Sequence, residues 1–103
     1  MQCTNVTVVA SATGAGSGNI VTNKYDTVIL AAENLAGAEE VDIFIIINGV
    51  EVVVTDAAGD PAKLTLAVPT CVLEGGPMYR VEKDSTAGAC GVFAILRRTS
   101  PSN

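Results

Sequence analysis

Four stretches of the chain hold residue types that can do chemistry, and each lacks a necessary part. Gly14-Ala15-Gly16-Ser17-Gly18 follows a β-rich run, as a phosphate-cradling loop would, since the backbone N–H groups of a glycine-rich turn at a helix N-terminus hold anions. The third glycine of a dinucleotide fingerprint would fall at Asn19, no Gly-Lys-Ser/Thr follows, and Ile20-Val21-Thr22 does not open a helix. Asp56-Ala57-Ala58-Gly59-Asp60-Pro61 sets two carboxylates beside a tight turn. A calcium loop, however, alternates its oxygen ligands and ends on a distal bidentate Glu, and the turn chemistry of Asp, Gly and Pro accounts for these residues by itself. Glu39-Glu40 and Glu82 with Asp84 are the paired carboxylates that acid–base work on a glycosidic bond would use. Adjacent strand residues point to opposite faces, and two Tyr, two Phe and no Trp leave little surface on which a sugar could stack. Cys3, Cys71 and Cys90 form no CxxC pair, and the chain has no His, so neither a zinc site nor a Ser-His or Cys-His nucleophile can be assembled in the common ways. The expectation is a non-enzymatic chain with no catalytic residue, no metal and no cofactor, its cysteines buried free thiols by default. A Cys71–Cys90 bridge would require neighbouring strands.

The elements that must position any working surface are strands. Val41-Asp42-Ile43-Phe44-Ile45-Ile46-Ile47, then Asn48-Gly49, then Val50-Glu51-Val52-Val53-Val54-Thr55 is a hairpin signature, because a two-residue type I′ turn needs positive φ at both central residues. The turn fixes the register, so Ile43, Ile45, Ile47, Val50, Val52 and Val54 share one apolar face, expected to be core. The opposite face carries Phe44, Ile46 and Val53 among Asp42, Glu51 and Thr55, too apolar for a wetted surface and too charged for a monomer's core. Thr4–Ala10, Thr27–Ala31, Lys63–Val68, Met78–Lys83 and Val92–Leu96 are further strand candidates, each bounded by turn-forming clusters. About seven short antiparallel strands in a chain of this length argue for an all-β, single-domain β-sandwich or jelly roll over residues 1–103 and leave no room for helical crossovers. Ala31–Glu40 is the competing helical stretch, but Asn34 and Gly37 reduce it to a loop or one or two turns. Residues 11–19 are small and polar and predict a linker, making 1–19 a mobile arm, and 98–103 predict a draping tail.

Composition sets the outer limits. One hundred and three residues make one domain, and 49% hydrophobic against 17% charged residues can bury a core. The net charge of −5 has the wrong sign for a nucleic-acid partner. It is also uneven: one lysine against eight carboxylates leaves residues 1–60 at −7, and five cations against three carboxylates leave 61–103 at +2. Such a bias lets one end of a molecule meet another end of its neighbour. There is no positively charged leader with an apolar run and no spanning segment of about 20 apolar residues, so the expected site of synthesis is a cytoplasm, with no membrane partner.

Glu74-Gly75-Gly76-Pro77-Met78-Tyr79-Arg80-Val81-Glu82-Lys83, followed by Ala87-Gly88-Ala89-Cys90-Gly91-Val92-Phe93, resembles the C-terminal half of small virion proteins of tailed bacteriophages, in which a Gly-Pro turn leads into a Tyr-Arg-Val strand and then a Gly-Val strand. The run from Val52 through Asp56-Ala57-Ala58-Gly59-Asp60-Pro61 to Leu66 is similar to the strand, Asp-Gly turn and strand of the same group, and the resemblance spans residues 41–96. It implies a capsid decoration or cement protein: a β-sandwich that binds the major capsid protein on the virion surface as a homo-oligomer, a trimer being favoured. Such a protein stabilises a shell by burying surface across capsomer joints. The contact residues expected on this reading are Phe44, Ile46 and Val53 of the hairpin, the mobile Asn5–Asn19 arm, and Arg97 and Arg98 against an acidic neighbour. A head–tail connector or tail component, and a ligand-binding or adhesion module, are the alternatives.

Overall fold

The computed structural model describes residues 2–98, and no helix occurs among them. Nine strands follow in order: β1 (Gln2–Ala12), β2 (Gly16–Val21), β3 (Thr27–Ala32), β4 (Glu40–Ile47), β5 (Val50–Val53), β6 (Lys63–Thr65), β7 (Thr70–Glu74), β8 (Met78–Lys83) and β9 (Cys90–Arg98). They form two antiparallel sheets, one ordered β1-β9-β3-β7 and the other β2-β8-β4-β5, with β6 also pairing β4. The all-β sandwich expected from the sequence is what the chain forms, with two more strands than the sequence reading counted.

Alternation explains the core. In β8, Tyr79, Val81 and Lys83 point inward, and in β9, Val92, Ala94 and Leu96 do so. They meet Val28 and Leu30 of β3, Val41 and Ile43 of β4, Leu64 of β6 and Ile20 of β2 in one apolar cluster between the sheets. Fully burying such side chains is worth roughly 1.5–3 kcal/mol each, the main return against the entropy of ordering the chain.

Several sequence expectations need correction. Residues 16–19, read as the end of a linker, open strand β2, which pairs along β8 from Gly16↔Lys83 to Val21↔Met78. The 1–19 arm contains β1, which pairs with β9 from Gln2↔Arg98 to Ala12↔Cys90 through two register shifts. Gly18 explains why so glycine-rich a stretch belongs in the sandwich: a Cβ there would strike the Val8 carbonyl oxygen of β1, so the two backbones meet where no side chain fits. Thr70–Glu74, left without an element by the sequence reading, is β7, paired with β3. The 31–40 stretch, by contrast, is the loop expected of it, running from the end of β3 to the start of β4 at Glu40, with Asn34 at φ 63° and Gly37 at φ 57°. Arg98 closes β9, and the rest of the 98–103 tail lies outside the described residues. Cys3, Cys71 and Cys90 are free thiols, and Cys3 is exposed. β3 lies between the strands carrying Cys71 and Cys90.

The hairpin is confirmed in register, Ile47↔Val50, Ile45↔Val52 and Phe44↔Val53, with Asn48 at φ 52° and Gly49 at φ 79°. Its expected core face is core only at one end. Along that face Ile43 is 1% exposed, Ile45 is half-buried and Ile47 is 49% exposed. On β5, Val52 and Val50 are exposed and only the following Val54 is half-buried. The hairpin runs past the cover of the facing sheet, and the molecule is correspondingly long, 44 × 26 × 25 Å.

Candidate interaction surfaces

The outer face of the β2-β8-β4-β5 sheet is built by the odd–even partition of its strands. Phe44 faces Val53 across the hairpin, and Ile46 lies one step further along the same face, beside Met78, which is in turn beside Val21. Val21, Val53 and Met78 are exposed, and Phe44 and Ile46 are half-buried. The structure therefore brings together the three hairpin residues singled out from the sequence and adds Val21 and Met78. The missed pair was legible as the outward positions of strands bounded by turns, had β2 been recognised.

Charges border this patch and answer one another. Arg80 Nε lies 3.1 Å from a Glu51 carboxylate oxygen and 3.0 Å from one of Glu82, and its guanidinium also donates to Ser17 Oγ at 3.2 Å. Lys63 Nζ lies 3.0 Å from Glu40 and 3.2 Å from Asp42. These hydrogen bonds and the attraction of both carboxylates hold the Lys63 ammonium above its ordinary pKa. Exposed pairs of this kind add little stability, and with two carboxylates to each cation they leave this border net negative.

Arg97 and Arg98 lie elsewhere. They end β9 in the other sheet, Arg97 between Cys3 and Thr27 and Arg98 opposite Gln2, so they do not join the hairpin patch. On the outer face of that sheet Ile95 pairs with Ile29, which pairs with Val72. Val72 is 68% exposed, and Phe93 is half-buried beside Ala31. Both sheets thus turn an apolar strip outward. The second strip is encoded in the alternation of Val92-Phe93-Ala94-Ile95-Leu96, where both parities are apolar.

The carboxylates considered for chemistry are engaged by the fold. Glu39 accepts hydrogen bonds from the backbone N–H groups of Ala36 at 2.9 Å and Ala87 at 2.7 Å, bracing two loops together. It borders an open polar cleft of about 510 Å³, shared with Glu40, Asp42, Lys63, Asp84 and Thr86. Asp56 accepts from Ala58 and Asp60 N–H at 2.9 and 3.0 Å, the turn-forming use of an Asp side chain, with Gly59 at φ 87°. No cluster of three or more metal-ligating side chains occurs among the described residues.

Sequence reasoning passed over one buried charge. Lys83 is 4% exposed, and its ammonium donates to the carbonyls of Ala12 at 2.8 Å and Gly14 at 2.6 Å. It holds the β1–β2 turn, which crosses from one sheet to the other, against β8.

No family model and no curated protein matches this chain. Among solved structures it is similar to the SPBc2 prophage-derived protein YomS, with a TM-score of 0.73 at 16% identity over 92% of each chain. Weaker likenesses are to the nucleoplasmin-like N-terminal domain of Drosophila FKBP39, with a TM-score of 0.40 at 11% identity over 99% of this chain and 92% of that one, and to protein NMB1881 from Neisseria meningitidis, with a TM-score of 0.37 at 15% identity over 91% and 69%. The likeness that bears on this chain is the first, and it establishes that the sandwich described above is a fold also found in a prophage-derived protein.

Proposed function

We propose that this chain is a non-enzymatic virion structural protein of a tailed phage, seated on the outside of the capsid and stabilising it as a decoration or cement protein. The observation that carries the reading is the outward placement of apolar side chains on both sheets and on the overhanging hairpin, which a small monomer gains nothing by exposing. Two further facts support it. The fold is shared with a prophage-derived protein across 92% of the chain, and residues 41–96 resemble small phage virion proteins. The capsid contact is assigned to the patch of Phe44, Ile46 and Val53 and, separately, to Arg97 and Arg98, with the major capsid protein as partner. The localisation that follows is the virion surface after synthesis in the host cytoplasm.

Co-sedimentation with empty shells of the phage that encodes the chain tests this directly. Saturable binding is expected, weakened about tenfold or more by the double substitution Phe44→Ser with Ile46→Ser, since buried apolar anchors dominate such contacts. Binding confined to the portal vertex or to tails would give the chain to the connector or tail class instead. Absence of binding by the folded chain would remove the reading.

A further inference from the structure

The tip of the β4–β5 hairpin carries a side chain that can react with its own backbone. An asparagine carboxamide is an electrophile within reach of one nucleophile that is always at hand, the backbone nitrogen of the next residue, and closing the five-membered ring between them expels ammonia. Two things control the step: the bulk of the following side chain, which crowds that nitrogen, and the freedom of the asparagine ψ to rotate until the two groups meet. Both can be read for every asparagine among residues 2–98. Asn5, Asn19, Asn23 and Asn34 are followed by Val6, Ile20, Lys24 and Leu35, and only Asn48 precedes a glycine. Asn5 and Asn19 lie in β1 and β2, in register with Ile95 and Arg80, where the ladder restrains ψ. The Asn34 carboxamide donates to the Ala89 carbonyl at 3.1 Å. Asn23 is exposed in a turn but is followed by the bulk of Lys24.

Asn48 and Gly49 are both exposed, and a Cβ placed on Gly49 would meet nothing within 4 Å, so the space around that residue is open. A two-residue turn also gives the amide between them no rung in the ladder, whose bonds begin at the Ile47–Val50 pair. One restraint remains. Asn48 has φ 52°, in the left-handed region where ψ is about +47°, and ring closure needs ψ turned to the opposite side, so the turn must open first. The pair that holds it shut is poorly covered: Ile47 and Val50 are 49% and 59% exposed.

We propose that Asn48–Gly49 is a self-modification site at which the folded chain deamidates, and that the isoaspartyl product undoes the hairpin tip. The Gly49 nitrogen gives up its proton to base and bonds to Asn48 Cγ, and the Cγ–Nδ2 bond breaks as the carboxamide nitrogen takes up a proton and leaves as ammonia. Water then opens the succinimide at either carbonyl. Attack at Cγ leaves Asp at position 48; attack at the main-chain carbonyl leaves isoaspartate, in which the chain runs through Cβ and Cγ. The net change is carboxamide and water to carboxylate and ammonium, with no oxidation or reduction. Asp tolerates positive φ, so the first product keeps the turn. Isoaspartate adds a methylene to a turn whose register depends on its two-residue length, so the Ile47–Val50 pair is lost and Glu51 is loosened opposite Ile46 of the outer patch. The reaction is a property of the isolated chain and does not depend on whether a shell binds it.

The test ages the full chain in warm, mildly alkaline buffer, with and without urea, and follows its peptides by mass spectrometry with electron-based fragmentation, which separates aspartate from isoaspartate. Conversion at Asn48 is expected in the native chain, slower than in urea, several-fold faster than at Asn23, and slower again in mildly acidic buffer. Hydrogen exchange at the Val50 amide should quicken in the aged isoaspartyl chain. It should stay slow in fresh Asn48→Asp and in aged Asn48→Gly, which keeps a turn of positive φ and removes the carboxamide. A native chain in which Asn48 stays intact, conversion no faster there than at Asn23, or an isoaspartyl chain whose Val50 amide exchanges as before would each overturn the proposal.

Discussion

Lys83 shows how a single residue can hold a fold that is otherwise apolar. Its ammonium is almost wholly removed from water and is answered by carbonyl dipoles of the β1–β2 turn. Replacing it with Met keeps the stem's packing and strips two carbonyls of their charged donor. Hydrogen bonds to charged groups are worth roughly 1.5–3 kcal/mol, so Lys83→Met should lower the urea midpoint by a corresponding amount with an unchanged m-value. An unshifted midpoint would mean that water replaces the ammonium at no cost. The thiols make a second test. Burial pushes the Cys71 and Cys90 thiols above their ordinary 9.0, so Cys3 should react first and fastest with a thiol reagent at pH 8, with Cys90 following only on unfolding. Tyr79 is likewise raised, by burial first, and Lys63 by its carboxylate partners. Each of these groups favours the protonated form in the folded state. Their contribution to stability is therefore complete below the unfolded pKa values and lost as pH rises through the folded ones. A urea midpoint that these groups leave level from pH 6 to 8 and lower above about pH 9 is expected, and a rise above pH 9 would contradict the assignment. Lys83 was legible in principle, since it shares a parity with Tyr79 and Val81. A charged residue at a strand end is ordinarily read as solvated, and only the neighbouring turn's carbonyls make its burial tolerable.

At the scale of elements, the β4–β5 hairpin is both the best-read feature of the sequence and the one whose environment was misread. Asn48-Gly49 and the alternating apolar runs specify turn and register from local chemistry alone. How far the facing sheet extends beneath the hairpin depends on residues distant in sequence. Ile43 and Ile47 share one face of one strand, so the comparison is direct: Ile43→Ala should cost about 2–5 kcal/mol as a core truncation, and Ile47→Ala should stay within about 0.5 kcal/mol as a surface change. Equal costs at the two positions, read from urea midpoints, would mean that the hairpin does not overhang. The two missed strands have separate reasons. β2 is a strand because β1 packs on glycines that carry no strand propensity, a tertiary cause invisible in composition. β7 follows Pro69 with alternating Thr70-Cys71-Val72-Leu73-Glu74, a pattern that was present and was overlooked beside the stronger run before it. Phe44, Ile46 and Val53 are legible in the sequence because the hairpin's second face is apolar. Val72 and Ile95 hold the same kind of outward apolar position on β7 and β9.

The whole molecule is an elongated sandwich with distinct ends. Loops carrying Glu33, Glu39 and Asp84, with Glu40 at the start of β4, close one end, and the hairpin tip, Lys24 and the β9 terminus with Arg97 and Arg98 lie toward the other. The charge imbalance between the two halves of the sequence thus becomes in part an imbalance along an axis, and the surplus of apolar residues becomes strips on two outer faces. On the proposed reading, a protein built this way completes its burial against other protein. If the partner is a capsid, binding to the assembled shell in preference to its dissociated subunits must stabilise the shell by mass action, by about 2.7 kcal/mol at a free concentration one hundred times the dissociation constant. The most direct measurement is the melting temperature of empty shells, by scanning calorimetry, with and without saturating chain. A concentration-dependent rise, reduced by Phe44→Ser with Ile46→Ser, is expected. A melting temperature that does not move while the chain remains folded would contradict the account.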